Sequence, residues 1–383
     1  MKLMLLAALA ATMLSHQAAT SAGDIAFRSG DFDRAFAAYE AEAAASPGDR
    51  NALVGLGTMY LYRNQISDAK KYLTLAVRAH RHDDLAKRRL AALVRQEGAP
   101  GDFRITMDEA RTVVPFVQTD PLPMIEAKVN GQPVRLLIDT GAAALELSPD
   151  AAKRCGIAMR AAGTAVFAGG MKARIRRGHA DRLTLASTII RNVPAGELPA
   201  GASMLGGATF DGIIGTTILR RFIATLDYRH ARLVLEKRSA SAAVEARAHA
   251  SGAAVVSMWL VPDHFIFAQA RVNDRFKALF SIDTGGAGVG IGLTKAALAA
   301  ANVTPDASKA FEAQGGGGSM LLEPFAANVS LGSFTEKNVP GVFSPAGDPY
   351  AGFPFTVSGA ISHEFFRHAT LTFDFEAMKL IVI

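Results

Sequence analysis

A chain of 383 residues, half of them apolar and a fifth charged, is larger than one hydrophobic core keeps filling, so two or three domains are expected and a disordered or collagen-like chain is excluded. The net charge of +6 is a mild excess, and the basic clusters at 78–89 and 172–182 carry no interleaved aromatics, which argues for solvated faces and against a nucleic-acid surface. The single cysteine, Cys155, excludes an internal disulfide, and with no accompanying histidine motif it reads as a buried structural thiol.

In chain order, Lys2 is followed by an apolar stretch from Leu3 to Leu14 and then by small polar residues ending at Ala22. This reads as a secretory signal peptide over residues 1–22, too short in its apolar part to span a bilayer. Export to a periplasm or the medium, without a stable membrane anchor, is the expectation. Residues 23–100 are rich in Ala, Leu, Arg and Glu, and helices are expected there. The run Arg28-Ser-Gly-Asp-Phe-Asp-Arg-Ala35 is echoed by Tyr62-Arg-Asn-Gln-Ile-Ser-Asp-Ala69 after 34 residues, with Gly30 and Asn64 at the turns. This spacing resembles the tetratricopeptide repeat, without its Trp. The resemblance implies paired helices that either offer a groove to a protein partner or pack on the next domain; both readings stay open.

Gly98-Ala-Pro-Gly101 punctuates the chain, and from Phe103 onward short alternating apolar runs between Gly, Pro, Asn and Asp predict strands. This part is internally duplicated. Val134-Arg-Leu-Leu-Ile-Asp-Thr-Gly141 recurs as Lys277-Ala-Leu-Phe-Ser-Ile-Asp-Thr-Gly285, Asn192-Val-Pro194 as Asn338-Val-Pro340, and Asp211-Gly-Ile-Ile-Gly215 as Ser358-Gly-Ala-Ile-Ser362. The offsets of 144, 146 and 147 residues stay nearly constant across the unit, so two copies of one lobe are expected, at 104–240 and 250–383. Each has an apolar strand delivering Asp-Thr-Gly, a glycine-bearing hairpin (Gly169 and Gly170; Gly315, Gly316, Gly317 and Gly318), an Asn-Val-Pro strand, a turn into a short helix, and two closing strands.

These paired Asp-Thr-Gly loops and the downstream Asp-Gly-Ile-Ile-Gly resemble the aspartic proteases of the pepsin and retroviral type, most of all the small retroviral lobe duplicated in one chain. The resemblance implies a mainly β fold, with tandem retropepsin-like closed barrels behind a small all-α region. It implies an aspartic endopeptidase acting on a peptide or protein substrate, with no metal and no cofactor, and a monomer. Asp139 and Asp283 would meet as the catalytic pair, Thr140 and Thr284 would brace the loops across an approximate two-fold axis, Gly141 and Gly285 would permit the turns, and the glycine hairpins would be flaps over the substrate. Two carboxyl groups about 3 Å apart cannot both ionise, so one proton is shared; pepsin is the type case.

Ala142 and Gly286 follow the two motifs where many acid-active relatives carry a hydroxyl that holds the carboxylate pKa down. A mildly acidic to near-neutral optimum is expected. Gly286 and the Ala360-Ile361-Ser362 run are departures from the family pattern, and the Ala360-Ile361-Ser362 run motivates a rival reading as a decayed peptide-binding module whose helices carry the function. A homodimer with an Asp139–Asp139 pair is a second rival. His363-Glu364 with His368 lacks the spacing of a zinc helix, Gly286–Gly292 lacks the last glycine of a dinucleotide loop, and no Gly-x-Ser-x-Gly elbow is present.

Overall fold

A computed structural model describes residues 20–97, 104–166, 172–199, 204–205, 208–261, 264–315 and 318–383. Most of the expected signal segment, residues 1–19, lies outside these, and the first helix, Ala22–Arg28, begins with the Ser21 hydroxyl capping Asp24 N–H.

Five helices follow one another up to Glu97: Ala22–Arg28, Phe32–Ala45, Arg50–Tyr62, Ile66–Ala79 and Asp84–Glu97. Asp31 and Asp49 cap two of them by accepting from Arg34 N–H and Ala52 N–H. The turn positions of the 34-residue echo share one conformation, with φ of 80° at Gly30 and 55° at Asn64, a region open to glycine and tolerated by asparagine. Ala35 and Ala69, the echoed alanines, are fully buried. Both turns dock on the second lobe: Gln269 Nε2 donates to Gly30 O at 2.7 Å, and Asn64 Nδ2 to Phe375 O at 3.4 Å. Phe32, Leu56 and Met59 share one apolar cluster with Trp259, Phe267 and Phe355 of that lobe. Of the two readings left open by the sequence, the helices pack on a neighbouring lobe.

The two lobes repeat one plan. In the first, Met124–Val129 pairs antiparallel with Gln132–Ile138, and Gly212–Ile214 then runs parallel to the end of that strand and antiparallel to Leu145–Leu147. In the second, Phe265–Val272, Phe276–Ile282, Gly359–Ile361 and Ile291–Leu293 make the same pairings. Both strands bearing an Asp-Thr-Gly therefore end against a parallel neighbour, which carries their loops to the same level. The sequence had marked Asn-Val-Pro as a shared motif; its asparagines, Asn192 and Asn338, both sit at positive φ (58° and 52°).

A second pair of asparagines was missed as a motif. Asn130 donates to Cys155 O at 3.0 Å and accepts from Arg182 N–H at 3.0 Å. Asn273 donates to Ala301 O at 3.2 Å and accepts from Asn328 N–H at 2.9 Å. In each lobe one side chain thus staples a hairpin turn to a helix end and a distant strand. Cys155 is buried as expected, and burial pushes its thiol up.

The lobes are sewn together by a six-stranded antiparallel sheet, in the order Arg111–Gln118, Arg232–Glu236, Ile223–Asp227, Thr370–Asp374, Lys379–Val382, Ala254–Val261. Each lobe gives three strands. At its centre Thr225 faces Thr372 with the hydroxyls 2.8 Å apart, and these two positions are 147 residues apart, the offset of the duplication. The sequence predicted these closing strands singly; their union across the lobes was not foreseen. A helix, Ser241–Ala250, bridges the lobes where no element was assigned. One apolar core runs through both lobes, from Ile125 and Leu136 to Phe280 and Phe373.

Candidate active site

Asp139 and Asp283 leave their strands at the lobe interface. Each loop is tied to the parallel strand beside it, Asp139 N–H to Ile214 O at 3.2 Å and Asp283 N–H to Ile361 O at 3.0 Å. Each carboxylate also accepts from the glycine two residues on, Gly141 N–H at 2.7 Å and Gly285 N–H at 2.9 Å. The carboxyl groups bond each other across the interface.

The glycines are required by the opposite lobe. A β-carbon on Gly141 would lie 2.6 Å from Asp283 Oδ1, and one on Gly285 would lie 2.3 Å from Asp139 Cγ. No real side chain fits at such distances, so each backbone turn floors the space of the partner's carboxylate. Behind them Thr140 N–H donates to Thr284 Oγ1 at 3.0 Å and Thr284 N–H to Thr140 Oγ1 at 3.1 Å. The two hydroxyls donate onward to Ile282 O at 2.8 Å and Ile138 O at 3.2 Å. Both threonines are fully buried, so the bracing expected of them is a closed ring of hydrogen bonds with no orphan group.

Electrostatics follow the geometry. Burial, then the negative charge of Asp283 and the hydrogen bond between the carboxyls, raise Asp139 well above the ordinary carboxylate range. The amides of Gly141 and Ala142 oppose this only in part. Asp139 therefore keeps its proton to a higher pH than an ordinary carboxyl.

The departures in the second loop prove to be one compensated change. Ser362 Oγ accepts from Gly286 N–H at 2.9 Å and donates to Asp283 O. A β-carbon on Gly286 would come within 2.3 Å of that Oγ. In the first lobe the small residue sits on the other side: Ala142 stands where Gly286 does, and Gly215 where Ser362 does, with a β-carbon on Gly215 meeting Ala142 O at 2.5 Å. There Thr216 Oγ1, donating to Thr140 O at 2.9 Å, supports the loop from the next position. Neither Ser362 nor Thr216 was foreseen as a support; the constant offset of the repeat was the available signal.

The hairpins expected as flaps are present as strand pairs. Arg160–Val166 pairs with Lys172–Leu185, and Phe311–Gly315 with Gly318–Leu331, where Gly315 and Gly318 form the last registered pair. Gly169, Gly170, Gly316 and Gly317 lie outside the described residues. Among the described residues, Asp120, His363 and Glu364 are the group whose ligand atoms lie close enough for a metal, within 4.8 Å of one another. Arg367 already spans both carboxylates, at 3.0 Å from Glu364 and 3.1 Å from Asp120, so a cation would have to displace a guanidinium. His363 is fully buried and His368 exposed.

Parts of the chain are similar to known proteins. The chain is 30% identical over 155 residues to DNA damage-inducible protein 1 of Phaeosphaeria nodorum, a stretch covering 39% of this chain and 32% of that protein. It is 28% identical over 155 residues to the protein of the same name from Neurospora crassa, covering 39% of this chain and 33% of that one. The chain thus spans about a third of the length of these curated relatives. Among solved structures, a retropepsin-like aspartic protease from Rickettsia conorii is 17% identical and covers 35% of this chain and 93% of its own, with a TM-score of 0.26. Residues 125–218, the stretch that carries Asp139 and the Asp211-Gly-Ile-Ile-Gly215 run, match the family model described as aspartyl protease, so the first lobe holds an aspartyl protease domain.

Proposed function

We propose that this chain is an aspartic endopeptidase in which Asp139 and Asp283 activate one water between them. The observation that carries the reading is the facing of two half-buried carboxyls, each floored by the other lobe's glycine, with Asp139 held protonated by burial and by its neighbour's charge. In that state the ionised carboxylate takes a proton from water as the oxygen attacks the scissile carbonyl carbon, and the protonated carboxyl donates to the carbonyl oxygen. Collapse of the tetrahedral intermediate breaks the C–N bond: the departing nitrogen receives the proton taken from water, one hydroxyl of the intermediate returns its proton to the carboxylate that had acted as acid as the C=O re-forms, and the pair again shares one proton. An extended peptide lying between the lobes is the fitting substrate, paired through its backbone. Both carboxyls come from one chain, so a monomer suffices and the Asp139–Asp139 dimer is the weaker arrangement.

The test is cleavage of a peptide library by wild-type protein and by Asp139→Asn and Asp283→Asn. Loss of cleavage in both variants supports the reading, and unchanged cleavage in either removes it. The rival reading as a decayed binding module drew on the Ala360-Ile361-Ser362 run, where the fit of Ser362 to Gly286 supports an intact second loop instead. Partner binding by the helices and export through removal of the apolar leader remain parts of the proposal; mass spectrometry of the mature N-terminus checks the second.

A further inference from the structure

We propose that Asp120, His363 and Glu364 form a binding site for a divalent cation of the zinc type, which clamps the first lobe to the second and for which Arg367 is the built-in competitor. The site is separate from the paired aspartates and does not depend on the endopeptidase reading.

Asp120 belongs to the first lobe, in the link between the strands Arg111–Gln118 and Met124–Val129. His363 and Glu364 open the short helix His363–Phe366 of the second lobe, directly after Ser362. Two backbone bonds hold that turn in place: Ser362 N–H donates to Gly290 O at 2.9 Å and Glu364 N–H to Val289 O at 3.1 Å. By the 147-residue offset His363 is the counterpart of Thr216, whose hydroxyl supports the first loop through Thr140 O. His363 has left that task. Its ring faces the other lobe instead, with Nε2 3.7 Å from Asp120 Oδ1, beyond hydrogen-bond length.

The histidine is what points to a ligand. Its side chain is 0% exposed, and neither ring nitrogen has a hydrogen-bond partner among the described residues. A polar ring buried in this way is costly unless something binds it. Tyr228 packs on the ring with centroids 5.4 Å apart, which fixes its plane. Burial pushes the imidazole below the ordinary histidine value, so a lone pair is free to coordinate. One ligand atom from each of Asp120, His363 and Glu364 lies within 4.8 Å of the other two. Zinc bonds of about 2.1 Å bring such atoms to about 3.4 Å apart, a contraction that rotation of two carboxylate side chains can supply. Imidazole with two carboxylates suits zinc, whereas calcium and magnesium prefer oxygen alone.

Arg367 neutralises the cluster by donating to Glu364 Oε2 at 3.0 Å and to Asp120 Oδ1 at 3.1 Å. Its side chain is 38% exposed, so the guanidinium can swing into solvent. A dication in its place meets both carboxylates and also the ring nitrogen that the guanidinium leaves unpartnered.

Calorimetric titration of chelator-stripped protein with zinc chloride is the test. Wild type is expected to bind one equivalent with a Kd of about 1 µM or tighter, and zinc at about a hundred times Kd to raise Tm by about 4 °C. Asp120→Asn and Glu364→Gln should each weaken binding at least about tenfold, and His363→Ala should abolish it. Arg367→Ala, which removes the competitor, should tighten binding about tenfold, a gain that a purely structural ion pair does not give. Should His363→Ala fail to fold, Asp120→Asn, at a side chain 56% exposed, carries the same decision. Absence of zinc binding in both wild type and Arg367→Ala overturns the inference. So does one-equivalent binding that Asp120→Asn and Glu364→Gln leave unchanged, which puts the ion on other side chains.

Discussion

Thr140 and Thr284 hold each other reciprocally, each backbone N–H donating to the other's hydroxyl at 3.0 and 3.1 Å across an interface that joins residues 144 positions apart. Replacing either by valine keeps the shape and removes one acceptor and one donor, leaving an amide and a carbonyl buried without partners. Thr140→Val or Thr284→Val should each lower stability by about 2–4 kcal/mol in urea unfolding. Thr→Ser at the same position should recover most of this. Equal midpoints for valine and wild type would mean that the lobes are aligned by other contacts.

The raised pKa of Asp139 has a definite sign in stability. The native state holds a proton that the unfolded chain releases near 3.8, so stability from this group is complete below that pH and is lost as pH rises through the higher native value. Asp139→Asn should therefore melt above wild type at pH 7 and close to it at pH 3. Activity should fall on the alkaline side as the pair loses its shared proton, with the optimum at mildly acidic to near-neutral pH. A rate still climbing at pH 3 contradicts this.

Gly286 and Ser362 form a testable couple. Gly286→Ala alone forces a β-carbon onto Ser362 Oγ and should cost about 1–3 kcal/mol. Adding Ser362→Gly recreates the arrangement of Ala142 and Gly215 and should recover much of the loss, so a double-mutant cycle should show favourable coupling. Strict additivity would show that the two sites are independent.

The asparagine staples give a prediction in duplicate. Asn130→Ala and Asn273→Ala each remove two side-chain hydrogen bonds and leave alanine at a φ near 50°, a conformation it resists. Each should cost about 2–4 kcal/mol, by similar amounts in the two lobes. Thermal melts of the pair check this, and a neutral result in either lobe would deny the staple its role there.

The sequence exposed what repeats along the chain and concealed what joins distant parts of it. Asp139 and Asp283, with their threonines and glycines, were readable because a strand, an acid and a turn recur at a steady offset. The helical region and the closing strands were readable from local patterning. Ser362 looked like damage to a motif, because its partner Gly286 lies 76 residues away and only folding brings the hydroxyl to the amide. The docking of Gly30 and Phe32 on the second lobe was equally hidden, since a buried helix face does not say what covers it. The pairing of Ile223–Asp227 with Thr370–Asp374 left no mark either, as each strand by itself satisfies an ordinary edge pattern.

That seam limits how the two lobes can move. Five registered residue pairs between Ile223–Asp227 and Thr370–Asp374, with Thr225 and Thr372 at the middle, make the sheet that joins the lobes one uninterrupted fabric. Prising the halves apart would tear hydrogen bonds from the most protected part of the molecule, so the jaws cannot work as a hinge. Any movement between the carboxyl-bearing loops has to come from parts outside this sheet, while the joined base stays shut.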